Sequence, residues 1–244
     1  MSDIISVAAG NLLTPMILSF VLGLCAALAR SELTVPEAAA KAMSIYLLFA
    51  IGFKGGVAVS DHGPDLHLVT ALAGGGVLSF GLPILAFALL RAMTGLSTLD
   101  AAAVAAHYGS ISIVTFVTAV SVLEGQGVAS EGYMVAVAAV MEAPAIVSAL
   151  WLVARSGPGA RMDARLWHEI LLNGSIVLLV GSFLIGAITG EKGLARIDSF
   201  IVAPFQGVLC LFLLDMGLVA GRGLRSARGV LSPALVVFGV LMPL

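Results

Sequence analysis

Chemistry is concentrated in the stretch LDAAAVAAHYGSISIVTFVTAVSVLEGQG (99–127), which sets His107, Tyr108, Gly109, Ser110, Ser112, Thr115 and Thr118 inside an otherwise apolar run. A glycine followed by small hydroxyl residues predicts a helix interrupted near Gly109. A break inside an apolar layer frees backbone N–H groups, and these, with the dipole of the following half-helix, attract an anion. Serine and threonine hydroxyls donate to a carboxylate-like oxygen, and their lone pairs accept from water around a sodium ion. The substrate-binding candidates are therefore Gly109, Ser110, Ser112 and Thr115, with Na+ near Ser112 and Thr115. The same residue types also pack helix against helix, and spacing alone leaves both readings open.

Ionisable residues inside apolar runs come next. Asp215 sits in LFLLDMGLV and Glu142 in MEAPAIV. A charge at the centre of a bilayer costs at least ~2.5 kcal/mol, so Asp215, Glu142 and His107 are ion-coupling candidates, each with a hydrogen-bonded packing role as the alternative. Lys54 lies near the end of its run, where a long stem lets the ammonium snorkel to water. Asp61, His62, Asp65 and His67 share one loop, but their spacing fits no metal motif and a solvated loop is expected. Ser110 and His107 suggest a serine–base pair, the requirement of an intramembrane protease; no Gly-x-Ser-x-Gly elbow accompanies them, and no enzyme is expected. Cys25 and Cys210 both fall in apolar runs and read as packing residues.

These residues need a scaffold, and composition indicates its solvent. Of 244 residues, 60% are hydrophobic and 11% charged, against about 25% charged in soluble domains; mean hydropathy is +1.11. A bilayer span takes ~20 apolar residues, and eight runs are marked: 9–29, 37–59, 66–92, 99–122, 130–154, 169–189, 197–221 and 229–244. They are continuous rather than alternating, which predicts helices and not a barrel. The N-terminus lacks the basic region of a secretory signal, so the first run reads as a retained helix. With the N-terminus outside, the inner connections hold Arg30, Lys41, Arg91, Arg155, Arg161, Arg165, Arg222, Arg225 and Arg228, nine of the twelve basic residues. A net charge of −2 gives nucleic acid no purchase.

An internal repeat is visible. SFVLG (19–23) matches SFLIG (182–186), and Gly52-Phe53-Lys54-Gly55-Gly56 matches Gly217-Leu218-Val219-Ala220-Gly221 at a near-equal offset. A five-span unit repeats upside down, the arrangement of secondary transporters. The expected architecture is an all-α polytopic membrane protein with inverted five-span repeats: 1–155 as the first repeat, 156–165 as a cytoplasmic linker, and 166–244 as an incomplete second repeat. On this reading the chain covers about eight of ten spans and is a fragment of a ten-span protein.

Three stretches carry a family resemblance. LDAAAVAAHYGSISIVTFVTAVSVLE resembles the fourth helix of the sodium-dependent bicarbonate transporters, with a Gly-x-x-Ser-x-x-Thr core on Gly109, Ser112 and Thr115 followed by Leu123-Glu124. MEAPAIV (141–147) is similar to that family's acidic-x-Pro-Ala segment, and TVPEAAAKAMSIYLLFAIGFKGGVAV (34–59) to its second span. The resemblance implies two inverted five-span repeats, a core domain moving against a gate domain, a homotrimer, and substrate held between crossing broken helices. Ser110 stands where the family often has a small apolar residue and Val114 where it often has serine, a departure that bears on the substrate. The connection after span five is short, which weighs against regulation by a cytoplasmic trimeric signalling protein of the nitrogen-regulator type.

The expectation is thus an inner-membrane, sodium-coupled importer of bicarbonate, whose partners are bicarbonate, sodium and the lipid bilayer and which needs no cofactor beyond the coupling ion. The alternatives are an organic-anion carrier of bile-acid-symporter type and an intramembrane serine protease.

Overall fold

The computed structural model describes residues 13–62, 66–112, 115, 116, 119, 120, 123, 126–128, 131, 133–156, 168, 172, 174–227 and 232–243. Eight α-helices are described: α1 (Pro15–Leu28), α2 (Glu37–His62), α3 (Leu66–Met93), α4 (Thr98–Ala106), α5 (Met134–Ser156), α6 (Gly174–Ile201), α7 (Phe205–Ser226) and α8 (Pro233–Leu241). Five of them, α2, α3, α5, α6 and α7, are long and apolar enough to cross a membrane. The three short helices begin on side-chain caps. Thr14, Ser97 and Ser232 each accept from an amide three residues on, and proline fills the first position of α1 and α8. Such caps satisfy orphan N–H groups that a short helix cannot spare.

Boundaries differ from expectation in the second half. The sixth span runs on to Ile201 through a kink at Gly190 (φ 56°), and the seventh starts at Phe205 rather than 197. Glycine takes the left-handed conformation without strain, so an apolar count alone does not see where the axis turns. At the other end of the molecule α1 closes in a Schellman motif: the Ser31 amide donates to Ala26 O (2.9 Å) and the Arg30 amide to Ala27 O (3.1 Å). Arg30 occupies the position with φ 62° that glycine usually takes.

The helices pack as two groups. Met16, Leu47, Ile51, Phe53, Leu179, Phe205, Leu209 and Leu213 form one buried cluster, joining α1, α2, α6 and α7. Ala86, Leu90, Ala101, Ala105 and Phe238 form a second, joining α3, α4 and α8, with Tyr108 edge-on to Phe238 at 5.4 Å. The fifth helix lies on α3, where Gly75 faces Val137 and Met141, and Ser79 Oγ donates to Met141 O. Outward faces are apolar: Val77 is 72% and Ile188 83% exposed. A protein in water seldom shows such continuous apolar surface; hydrocarbon is the solvent these faces suit.

Small residues set the two tightest crossings. A Cβ on Gly217 would stand 2.1 Å from Phe20 O and 2.8 Å from Leu24 N; one on Gly56 would stand 1.9 Å from Phe183 O and 2.7 Å from Ala187 N. Likewise a Cβ on Gly23 would stand 2.0 Å from Leu214 O and one on Gly186 2.1 Å from Phe53 O. The α1–α7 and α2–α6 crossings therefore share one geometry, and within each the helices run in the same direction.

Candidate functional site

The fourth apolar run breaks near Gly109, where a break is expected. Its first half ends at Ala106, three turn bonds follow (His107, Tyr108 and Gly109 amides to Val104, Ala105 and Ala106 carbonyls), and Ser110–Ser112 are not helical. Helical structure is present again at Thr115 and Phe116. Ser112 opens that second half: its Oγ accepts from the Thr115 amide (3.4 Å) and its carbonyl from the Phe116 amide (2.9 Å). Between the halves, the amides of Ser110, Ile111 and Ser112 find no acceptor among the described residues. Bare N–H groups away from water are costly and persist only where a cavity gives them something to bind.

Such a cavity is present. A hollow of about 590 Å³ lies at the junction of the two helix groups. Ser110, Ile111, Ser112 and Thr115 of the broken span and Glu142 of α5 line one side. Residues of α1, α2, α6 and α7 line the other, among them Phe20, Ser44, Ser175 and Phe212. Ser110 Oγ donates to Glu142 Oε2 at 2.9 Å, tying the break to α5. Among the described residues no lysine, arginine or histidine lines the hollow, and Glu142 is the single ionisable one. Among the described residues, the groups that attract an anion here are thus amides and hydroxyls, set beside one carboxyl group.

Ser110, Ser112, Thr115 and Glu142 accordingly come together. Gly109 does not line the cavity; it is buried against α3, where a Cβ would meet Ser79 O at 2.3 Å and Pro83 Cγ at 2.5 Å. His107 is exposed and apart from the lining, and the Ser110 hydroxyl bonds to Glu142 rather than to an imidazole, so the pair has no protease geometry. Asp215 is 4% exposed on α7, next to the lining residue Met216, and makes no hydrogen bond or ion pair among the described residues. Lys54 lies over the Phe205 ring at 5.7 Å. The side chains of Asp61, His62 and Asp65, together with Val114, Thr118, Glu124 and residues 157–165, lie outside the described residues. Ser44 and Ser175 were missed by sequence reasoning: single serines in apolar helices carry no pattern until the opposite wall is in place.

A polytopic helical membrane protein with a broken span opening on a cavity between two helix groups has the build of a transport protein. The chain belongs to the Na+-dependent bicarbonate transporter superfamily, whose sequence profile matches residues 15–244. Compared by sequence with curated proteins, it has no significant match.

Proposed function

We propose that this protein is a sodium-coupled importer of bicarbonate, with the anion held at the break of the fourth span. The observation that carries the reading is the run of three amides, Ser110 to Ser112, without acceptors among the described residues and bordering the hollow. Bicarbonate is small, planar and anionic, and suits convergent N–H and O–H donors without a cationic side chain. Sodium enters the argument through Glu142. An anion ~5 Å from a carboxylate is repelled by about 3 kcal/mol at an effective dielectric constant of ~20. A cation bound between Glu142, Ser110 and Ser112 reverses that sign, so the anion binds well only after sodium does.

The paired crossings support an inverted repeat. The contacts of Gly56 on Phe183 and Ala187 correspond to those of Gly217 on Phe20 and Leu24, and spans one and six correspond through Gly23 and Gly186. In this reading, the group of α1, α2, α6 and α7 is the gate against which the broken span and its partners move. The N-terminus lies outside, the arginine-rich ends face the cytoplasm of the inner membrane, and the protein assembles as a homotrimer, the last from the family resemblance alone.

The test is uptake of labelled bicarbonate by cells expressing the gene, with sodium or with an impermeant organic cation. Sodium-dependent uptake is the expected result; uptake indifferent to sodium overturns the coupling. Ser112→Ala removes a hydroxyl that borders the hollow and caps the second half-helix. Lost hydrogen bonds to a charged group are worth about 1.5–3 kcal/mol, so apparent bicarbonate affinity should fall by about tenfold or more. Ser112→Thr, which keeps the cap, should restore most of it; unaltered uptake by Ser112→Ala removes this span from the site.

A further inference from the structure

A second hollow, of about 650 Å³, opens at the opposite kind of place: the shared C-terminal ends of α1 and α7. It is lined by Leu28, Arg30, Arg222, Arg225 and Ser226. Three guanidinium groups thus border one space, and among the described residues no carboxylate lines it. Glu32 of the neighbouring connection and Glu37 at the start of α2 are exposed and form no ion pair with these arginines among the described residues.

The plain explanation is that arginines sit at helix C-termini to offset the dipoles. Arg225 does so: its Nη1 donates to Ala27 O at 3.0 Å, a carbonyl that also accepts from the Arg30 amide. Two helix ends, however, amount to only about one negative charge together. Against three guanidiniums this leaves about two positive charges over. Neither Arg30 nor Arg222 has a side-chain partner among the described residues. Arg30 also stands in a left-handed position that glycine would fill with less strain. Side-chain chemistry, not backbone fit, is what arginine adds there.

We propose that this hollow binds a phosphate group. Guanidinium forks match phosphate oxygens in pairs, and the free forks of Arg30 and Arg222 supply the donors, while the Ser226 hydroxyl on the same rim already donates to Arg222 O at 3.1 Å. The ends of membrane helices lie at headgroup depth, so an anionic phospholipid is the source that fits the position; free phosphate shares the chemistry. Bound there, the phosphate would join α1 to α7 on the gate side of the transport cavity.

The experiment uses the purified full chain and follows thermal unfolding. One arm compares vesicles of phosphatidylcholine with vesicles containing phosphatidylglycerol; the other titrates inorganic phosphate in detergent at fixed ionic strength. The variant is Arg30→Gly with Arg222→Gln, leaving the Arg225 cap intact. Glycine suits φ 62°, so this variant should fold at least as readily as the parent and yet need about thirty-fold more ligand for the same rise in midpoint. A response to phosphatidylglycerol alone assigns a lipid head, and a response to both assigns any phosphate. No response by the parent, or equal responses by parent and variant, overturns the proposal. Neither arm measures transport, so its failure leaves the bicarbonate reading standing.

Discussion

Glu142→Gln is expected to uncouple bicarbonate uptake from sodium. The substitution keeps the size of the side chain and an acceptor for the Ser110 hydroxyl, now 2.9 Å from Glu142 Oε2, but removes the one ionisable group that lines the hollow among the described residues. Two effects of opposite sign follow. Without the carboxylate the site loses its charge partner for sodium, and the sodium concentration for half-maximal uptake should rise by roughly an order of magnitude or more, since a charge pair at ~4 Å is worth a few kcal/mol at intermediate dielectric. Without the carboxylate the anion also loses its repulsion, so residual uptake in sodium-free medium should increase relative to the parent. The ratio of the two uptakes is therefore the informative quantity, and it should collapse toward one. A variant that is merely misfolded lowers both together and keeps no excess in sodium-free medium. Retention of the parent's sodium dependence by Glu142→Gln would assign coupling elsewhere. Asp215 is then the next candidate, being nearly buried without a partner among the described residues.

The reason this site was partly legible in the sequence is local. Gly109, Ser110 and Ser112 are adjacent in the chain, and a helix meeting a glycine and then hydroxyl side chains that compete for backbone groups is predisposed to break; the interruption follows from neighbours alone. Glu142 stood out because a carboxylate in an apolar run is expensive wherever it points. The opposite wall was not legible. Ser44, Phe20 and Phe212 become lining residues only through the α1–α7 and α2–α6 crossings, which depend on contacts between residues far apart in the chain. The expected repeat, whose inverted form belongs to the proposal above, shows the same limit. SFVLG and SFLIG are matched as written, and their glycines do abut equivalent carbonyls. Spans two and seven were matched on Gly52 and Gly217, whereas the contacts pair Gly56 with Gly217, one helical turn away. Small residues recur every four positions in both spans, so a register slip of four costs nothing in a sequence comparison and becomes visible only when a backbone lies against each glycine.

Gly109 carries the second prediction, because its role differs from that of the serine beside it. Its place in the motif marked it as a binding residue, yet it packs on α3 beside Pro83. Proline has no N–H to return to the carbonyl four residues earlier, that of Ser79, and it is this carbonyl that a Cβ on residue 109 would approach to 2.3 Å. The proline and the glycine thus act together: one frees a backbone oxygen, and the other lets the broken span come against it. Gly109→Ala forces a backbone atom, not a flexible side-chain tip, to yield. Overpacking of this kind costs typically 1–3 kcal/mol. It also displaces Ser110, the next residue, from Glu142. The expected result is a lowered unfolding temperature in detergent and an uptake loss at least as large as that of Ser110→Ala. Gly74→Ala supplies the contrast on the same partner helix: nothing stands within 4 Å of the added methyl, and alanine favours a helix over glycine, so stability and uptake should stay level or improve. If Gly109→Ala behaved like Gly74→Ala, the broken span would not be seated on α3 as described, and the alignment of its free amides with the cavity would lose its support.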